Sequence, residues 1–91
     1  MTMPTLAVLD AIAAAAVAGE DVWGLRISQY TGLGTETVYP ILERLVEAGW
    51  ISADWERSQP SGRPRRCFYS LTGEGRAMRL LYFAAAPVAF S

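Results

Sequence analysis

Lysine and histidine are absent from this sequence, and cysteine occurs once, at Cys67. Without histidine, neither a Ser–His catalytic pair nor a mixed cysteine–histidine zinc site can be assembled. A single thiol excludes an intrachain disulfide and offers no metal-ligand spacing. No cofactor is therefore expected, and Cys67 reads as a small apolar residue near the end of a strand. No activated nucleophile and no carboxylate pair at usable spacing fills the gap, which sets enzymes aside. Long apolar runs are missing as well. The apolar tail at residues 80–90 is 11 residues long, whereas a bilayer span needs roughly 20. The N-terminal apolar run has no basic residue before it, as a secretory signal would. A cytoplasmic location without a membrane partner is expected.

The charge total also lacks the positive excess of a typical nucleic-acid binder, at −1 overall. Its distribution is more informative. Four of the eight basic residues, Arg57, Arg63, Arg65 and Arg66, fall within ten positions, and no acidic residue lies between Glu56 and Glu74. The 91 residues are expected to form a single domain over 1–91, large enough for one core and small enough that dimerisation would help stabilise it.

The chain is organised around residues 35–49. Val38, Ile41, Leu42, Leu45 and Val46 recur at helical spacing, so one stripe faces a core while Glu36, Pro40, Glu43 and Glu47 face away. Gly49 stops this helix, placed at 35–48. Pro40 lies beyond its first turn, where proline removes a hydrogen bond, and a slight kink is expected. Before it, residues 5–18 read as a first helix capped by Thr5 or Thr2 and ended by Gly19. Leu6, Leu9, Ile12, Ala13 and Ala16 lie on one side of it, and it is apolar nearly all round. Residues 22–30 read as a second helix carrying Trp23, Leu25, Ile27 and Tyr30, with Glu20 and Asp21 at its electropositive start. Thr31-Gly-Leu-Gly34 is a tight turn between the second and third helices.

After Gly49, Trp50-Ile-Ser-Ala-Asp-Trp-Glu-Arg57 alternates as a half-buried strand, with Ile51, Ala53 and Trp55 inward. Ser58–Pro64 has turn chemistry, and the chain returns as a second strand with Cys67, Tyr69 and Leu71 on one face. These segments make a hairpin at 50–71 with an arginine-bearing loop. Thr72 caps a final helix at 73–86, polar in its first half and apolar from Leu80 onward. The expected fold is mainly α with a small antiparallel β-hairpin, a winged helix-turn-helix of three helices, a two-stranded wing and a fourth helix.

Leu33, Thr37-Val-Tyr-Pro-Ile-Leu42, Leu45, Gly49-Trp-Ile51, Gly62-Arg-Pro-Arg-Arg66, Phe68-Tyr69, Leu71-Thr72 and Glu74-Gly-Arg76 together resemble the PadR family of bacterial transcriptional regulators. The resemblance covers residues 22–79 or so in unbroken order. It implies a sequence-specific DNA-binding regulator, a repressor that binds a palindromic operator as a homodimer, sometimes released by a small aromatic effector. By position, it implies that Thr37, Tyr39 and Pro40 sit at the groove-facing start of the third helix and Gly62, Arg63 and Arg65 at the wing tip. Two residues depart from the pattern: Cys67 stands where a polar or basic residue is expected, and Glu36 where a small one is commoner.

On this reading, base contacts come from Glu36, Thr37 and Arg44, and phosphate contacts from Thr35, Tyr39, Ser61 and the wing arginines. The dimer interface is expected to involve Leu6, Leu9 and Ala13 of the first helix with Leu80, Leu81 and Phe83 of the last. Trp23, Trp50, Trp55, Tyr82 and Phe83 could line an effector cavity at that interface. The alternative is a winged-helix module for protein–protein contact, favoured by the acidic total and by the three glutamates on the third helix.

Overall fold

The computed structural model describes residues 2–85, with side chains through Tyr82. The elements run α1 (Met3–Ala18), α2 (Gly24–Thr31), α3 (Thr35–Glu47), β1 (Ile51–Trp55), β2 (Cys67–Leu71) and α4 (Gly73–Ala85). Ala86, placed in the last helix by the sequence, lies outside the described residues.

Helix α1 begins earlier than its apolar pattern because Thr2 caps it, its Oγ1 accepting from the Thr5 N–H at 3.3 Å, with Pro4 in the first turn. It ends at Gly19, whose φ of 71° is open to glycine at little cost. One side of α1, Val8, Leu9, Ala11 and Ile12, packs on Val38, Ile41, Leu42 and Leu45 of α3, with Ile27 of α2 and Ile51 of β1 completing the core. The α3 stripe is thus buried as its spacing predicts, except that Val46 at the edge is 39% exposed.

The second helix starts two residues later than its pattern. Trp23 is drawn out of it into an isolated β-bridge with Phe68, and the Tyr69 N–H donates to the Val22 carbonyl at 2.9 Å. Glu20 and Asp21 consequently precede the helix rather than occupying its first turn, and Glu20 reaches Arg26 across the solvent at 3.5 Å. Residues 32–34 make the turn to α3. Leu33 packs against the core there, and the Ser28 hydroxyl donates to its carbonyl.

At the end of α3 the Trp50 N–H bonds the Leu45 carbonyl and the Gly49 N–H bonds the Val46 carbonyl, each at 3.0 Å, a Schellman closure that turns the chain into the wing. β1 and β2 pair antiparallel, Ile51 opposite Leu71 and Trp55 opposite Cys67. Only Ile51 of β1 is buried. Ala53 and Trp55, expected inward, are exposed because the hairpin runs off the edge of the core and its outer half has no layer to cover it.

Thr72 then joins three elements. Its N–H donates to the Trp50 carbonyl at 3.0 Å, its hydroxyl donates to the Gly49 carbonyl at 2.7 Å, and the same oxygen accepts from the Gly75 N–H at 3.0 Å. Arg79 of α4 donates to Asp10 of α1 at 2.7 Å. Both groups are partly exposed, so this pair contributes at most about 1 kcal/mol and chiefly sets where α4 lies. Among the described residues, no helix is long and apolar enough to cross a membrane.

Candidate nucleic-acid interface

The outward side of α3 carries Thr35, Glu36, Tyr39, Pro40, Glu43, Arg44 and Glu47, all exposed, with Thr37 half-buried between them. Pro40 has no N–H to give the Glu36 carbonyl, so one rung of the helical ladder is missing near the start of the helix. The Glu36 carboxylate curls back over Gly34, against the positive end of its own helix. Arg44 leans to the other flank, where it lines a shallow hollow with Thr5, Ile41 and Trp50.

The wing arginines divide into two kinds. Arg63 folds back on the hairpin and donates to both carboxylate oxygens of Glu56, at 2.8 and 2.9 Å, and to the Pro64 carbonyl at 3.1 Å. Glu56 also accepts the Arg66 N–H at 2.9 Å, while its own N–H donates to the Arg66 carbonyl at 2.8 Å. The base of the loop is thereby stitched shut above Gly62, whose φ is 83°. Arg66 places its guanidinium 3.9 Å from the centre of the Trp23 ring, whose edge meets Phe68 at a 6.0 Å centroid distance. Arg57 and Arg65 are exposed and make no ion pair among the described residues, and Ser61 and Gly62 are exposed at the tip. Of the wing cations, therefore, Arg57, Arg65 and the Trp23-stacked Arg66 carry charge with no carboxylate paired to it among the described residues, and Arg63 does not.

Hydrogen bonds from the Arg63 guanidinium, followed by the Arg66 N–H, hold the Glu56 carboxyl down at about 2 against a smaller opposing effect of desolvation. The same bond raises Arg63. Because the carboxyl is depressed in the folded chain, its contribution to wing order is complete above the ordinary carboxylate range near pH 4 and is lost as pH falls towards 2. Carbon-detected NMR of the Glu56 carboxyl is expected to show a midpoint near 2, well below the other glutamates. A midpoint in the ordinary range would mean that the Arg63 pair is not held in solution.

Between α3 and the wing lies a cleft of about 330 Å³. Trp23, Tyr39, Trp55, Arg65, Arg66 and Cys67 line it. Tyr39 sits there because Gly24 has no side chain: a Cβ at that position would lie 2.5 Å from the tyrosine ring. Burial, and next to it the Cys67 side chain, pushes the Tyr69 phenol at the cleft floor up to about 12, so it stays un-ionised.

Several residues singled out in the sequence are placed differently from expectation. Leu9, assigned to the dimer face, is wholly buried in the chain's own core and cannot touch a partner. Leu6 and Ala13 are half-buried beside it, while Leu80 and Leu81 are 63% and 62% exposed. The Phe83 side chain lies outside the described residues. The aromatic residues named for an effector cavity do not share one within a single chain, since Trp23 and Trp55 line the wing cleft and Trp50 lies on the Arg44 flank. Gly24 and Glu56 were not anticipated. A glycine opening a helix and a glutamate seven positions before an arginine have no local signature.

Residues 20–79 match the family model described as "Transcriptional regulator PadR-like family". Among solved structures, smu.1704 from Streptococcus mutans UA159 is 31% identical, with a TM-score of 0.66 over 88% of this chain and 76% of that one. A PadR family transcription regulator from Clostridium difficile R20291 is 22% identical, with a TM-score of 0.74 over 91% of this chain and 85% of its own. Bacillus subtilis PadR, solved in complex with operator DNA, has a TM-score of 0.77 at 17% identity over 96% of this chain, which spans 50% of that protein's length. No functionally curated protein matches the sequence.

Proposed function

We propose that this chain, which belongs to the PadR-like family of transcriptional regulators, binds a palindromic operator as a homodimer and represses by occupying a promoter. The observation that carries this is the placement of the exposed start of α3 and the unpaired Arg65 on either side of one cleft, so that a helix and a wing can enter neighbouring grooves of the same duplex. Thr35, Thr37 and Pro40 meet the major groove. Glu36 reaches a cytosine edge once it swings from Gly34, and Arg44 reaches the backbone or a base from its flank. Ser61, Gly62 and the wing arginines lie against the minor groove and its phosphates.

Pairing through α1 and α4 gives the exposed Leu80 and Leu81 a cover, together with Leu6 and Ala13, and sets the half-sites roughly one helical turn apart. A small aromatic effector acting at that interface and a cytoplasmic setting belong to the same reading. Selection of bound fragments from random duplex DNA tests it. Enrichment of a palindrome, bound by two chains, is expected. Binding of no duplex at all would favour the protein-contact alternative, for which the exposed glutamates of α3 speak.

A further inference from the structure

We propose that the cleft between α3 and the wing is a seat for the sugar–phosphate strand, with the Trp55 indole packed on a deoxyribose and Arg65 on the adjoining phosphate. The inference rests on the DNA-binding reading above and specifies how that surface works. A helix in a major groove and a wing in the neighbouring minor groove are separated by one backbone strand. That strand must cross between the two elements, and the cleft is what lies there.

Its lining suits such an occupant. Trp55 is 65% exposed, an unusual position for so large an apolar side chain, and it projects from the same face of the hairpin as Cys67, Tyr69 and Ala53, towards α3. Tyr39 supplies a second ring on the opposite wall, and Arg65 and Arg66 bring positive charge. Among the described residues, no carboxylate lines this cleft. The neighbouring hollow farther along α3, about 370 Å³ and sharing Tyr69 with it, carries both Glu43 and Glu47. A phosphate strand is drawn to the first hollow and repelled from the second, so the two together fix where it crosses. Trp55 then contributes apolar contact that salt does not screen, and Arg65 contributes charge that salt does.

The test uses the full chain labelled with 5-fluorotryptophan, its Trp55 signal identified by Trp55→Phe, and the duplex enriched by selection. Three results are expected. The Trp55 fluorine resonance shifts on adding the duplex while the Trp50 resonance barely moves. The duplex slows alkylation of Cys67, the sole thiol. Trp55→Ala weakens binding roughly tenfold with the salt slope unchanged, and Trp55→Phe retains most of the affinity. Since Trp55 is exposed, neither variant threatens the fold. A chain that binds the duplex while its Trp55 resonance and Cys67 reactivity stay as in the free protein overturns the seat alone. Failure to bind any duplex overturns the DNA-binding reading and the seat with it.

Discussion

Gly75→Ala is expected to cost roughly 3 kcal/mol of folding stability, a large part of the about 5–14 kcal/mol that a chain of this size can hold. Gly75 is buried in the first turn of α4, and an added Cβ would fall on the Trp50 carbonyl oxygen. An overpacked side chain elsewhere can rotate away, but this carbonyl is fixed. It accepts the Thr72 N–H, and the Trp50 N–H on its other side is committed to Leu45. Relief would require α4 to lift from the joint where α3 ends and the hairpin begins, breaking the Thr72 cap as it went. Gly73→Ala is the control, because a Cβ there meets only the Arg76 guanidinium at 3.9 Å. That change should be neutral or slightly stabilising, through the lower entropy of the unfolded chain. Urea titration followed by tryptophan fluorescence separates the two. Equal midpoints would show that α4 starts elsewhere.

What the sequence made legible follows from how local each signal is. The α3 stripe, the Gly49 stop and the Thr72 cap each depend on residues within one or two turns of one another, and each is found where periodicity and capping chemistry put it. The strand register is also local, since alternation decides which residues share a face. It does not decide whether that face is covered. Ile51 lies over the core whereas Ala53 and Trp55, two and four residues on, have passed its edge. For α1 the difficulty was degeneracy: with alanines on every side, its pattern selects no face, and only contact with α3 reveals that Leu9 points inward. Non-local pairings were invisible in a stronger sense. The bridge that holds Trp23 to Phe68, the fit of Tyr39 over Gly24 and the capture of Arg63 by Glu56 all join residues whose types carry no mark of their partners. The candidate interface was thus readable as a list of residues, but not in its division of charge.

That division leads to the second large effect. Arg65→Ala is expected to weaken duplex binding roughly tenfold near 0.1 M salt and to reduce the slope of log K against log salt by about one. Arg63→Ala combined with Glu56→Gln, which removes the neutral pair as a unit, is expected to leave the slope nearly unchanged, although Arg63 and Arg65 both flank Pro64 in the same loop. The reason is electrostatic neutrality. Arg63 is bonded through both guanidinium nitrogens to Glu56 at 2.8 and 2.9 Å, so the pair presents little net charge to a phosphate and displaces no counterion on binding. Removing Arg63 alone should instead loosen the loop, because the Glu56 carboxylate then keeps only the Arg66 N–H. The loss would appear as a less ordered wing. Glu56→Gln completes the comparison: the amide oxygen accepts only one of the two Arg63 bonds and its nitrogen is a donor, so Arg63 is released with an uncompensated charge, and the slope should steepen by up to about one unit. Titrating these variants against one duplex over a range of salt distinguishes the roles. A slope loss for the Arg63→Ala/Glu56→Gln double variant equal to that of Arg65→Ala would mean that the Glu56 pair opens when DNA arrives, so that the wing grips with both arginines and the closed loop of the free chain is a resting state.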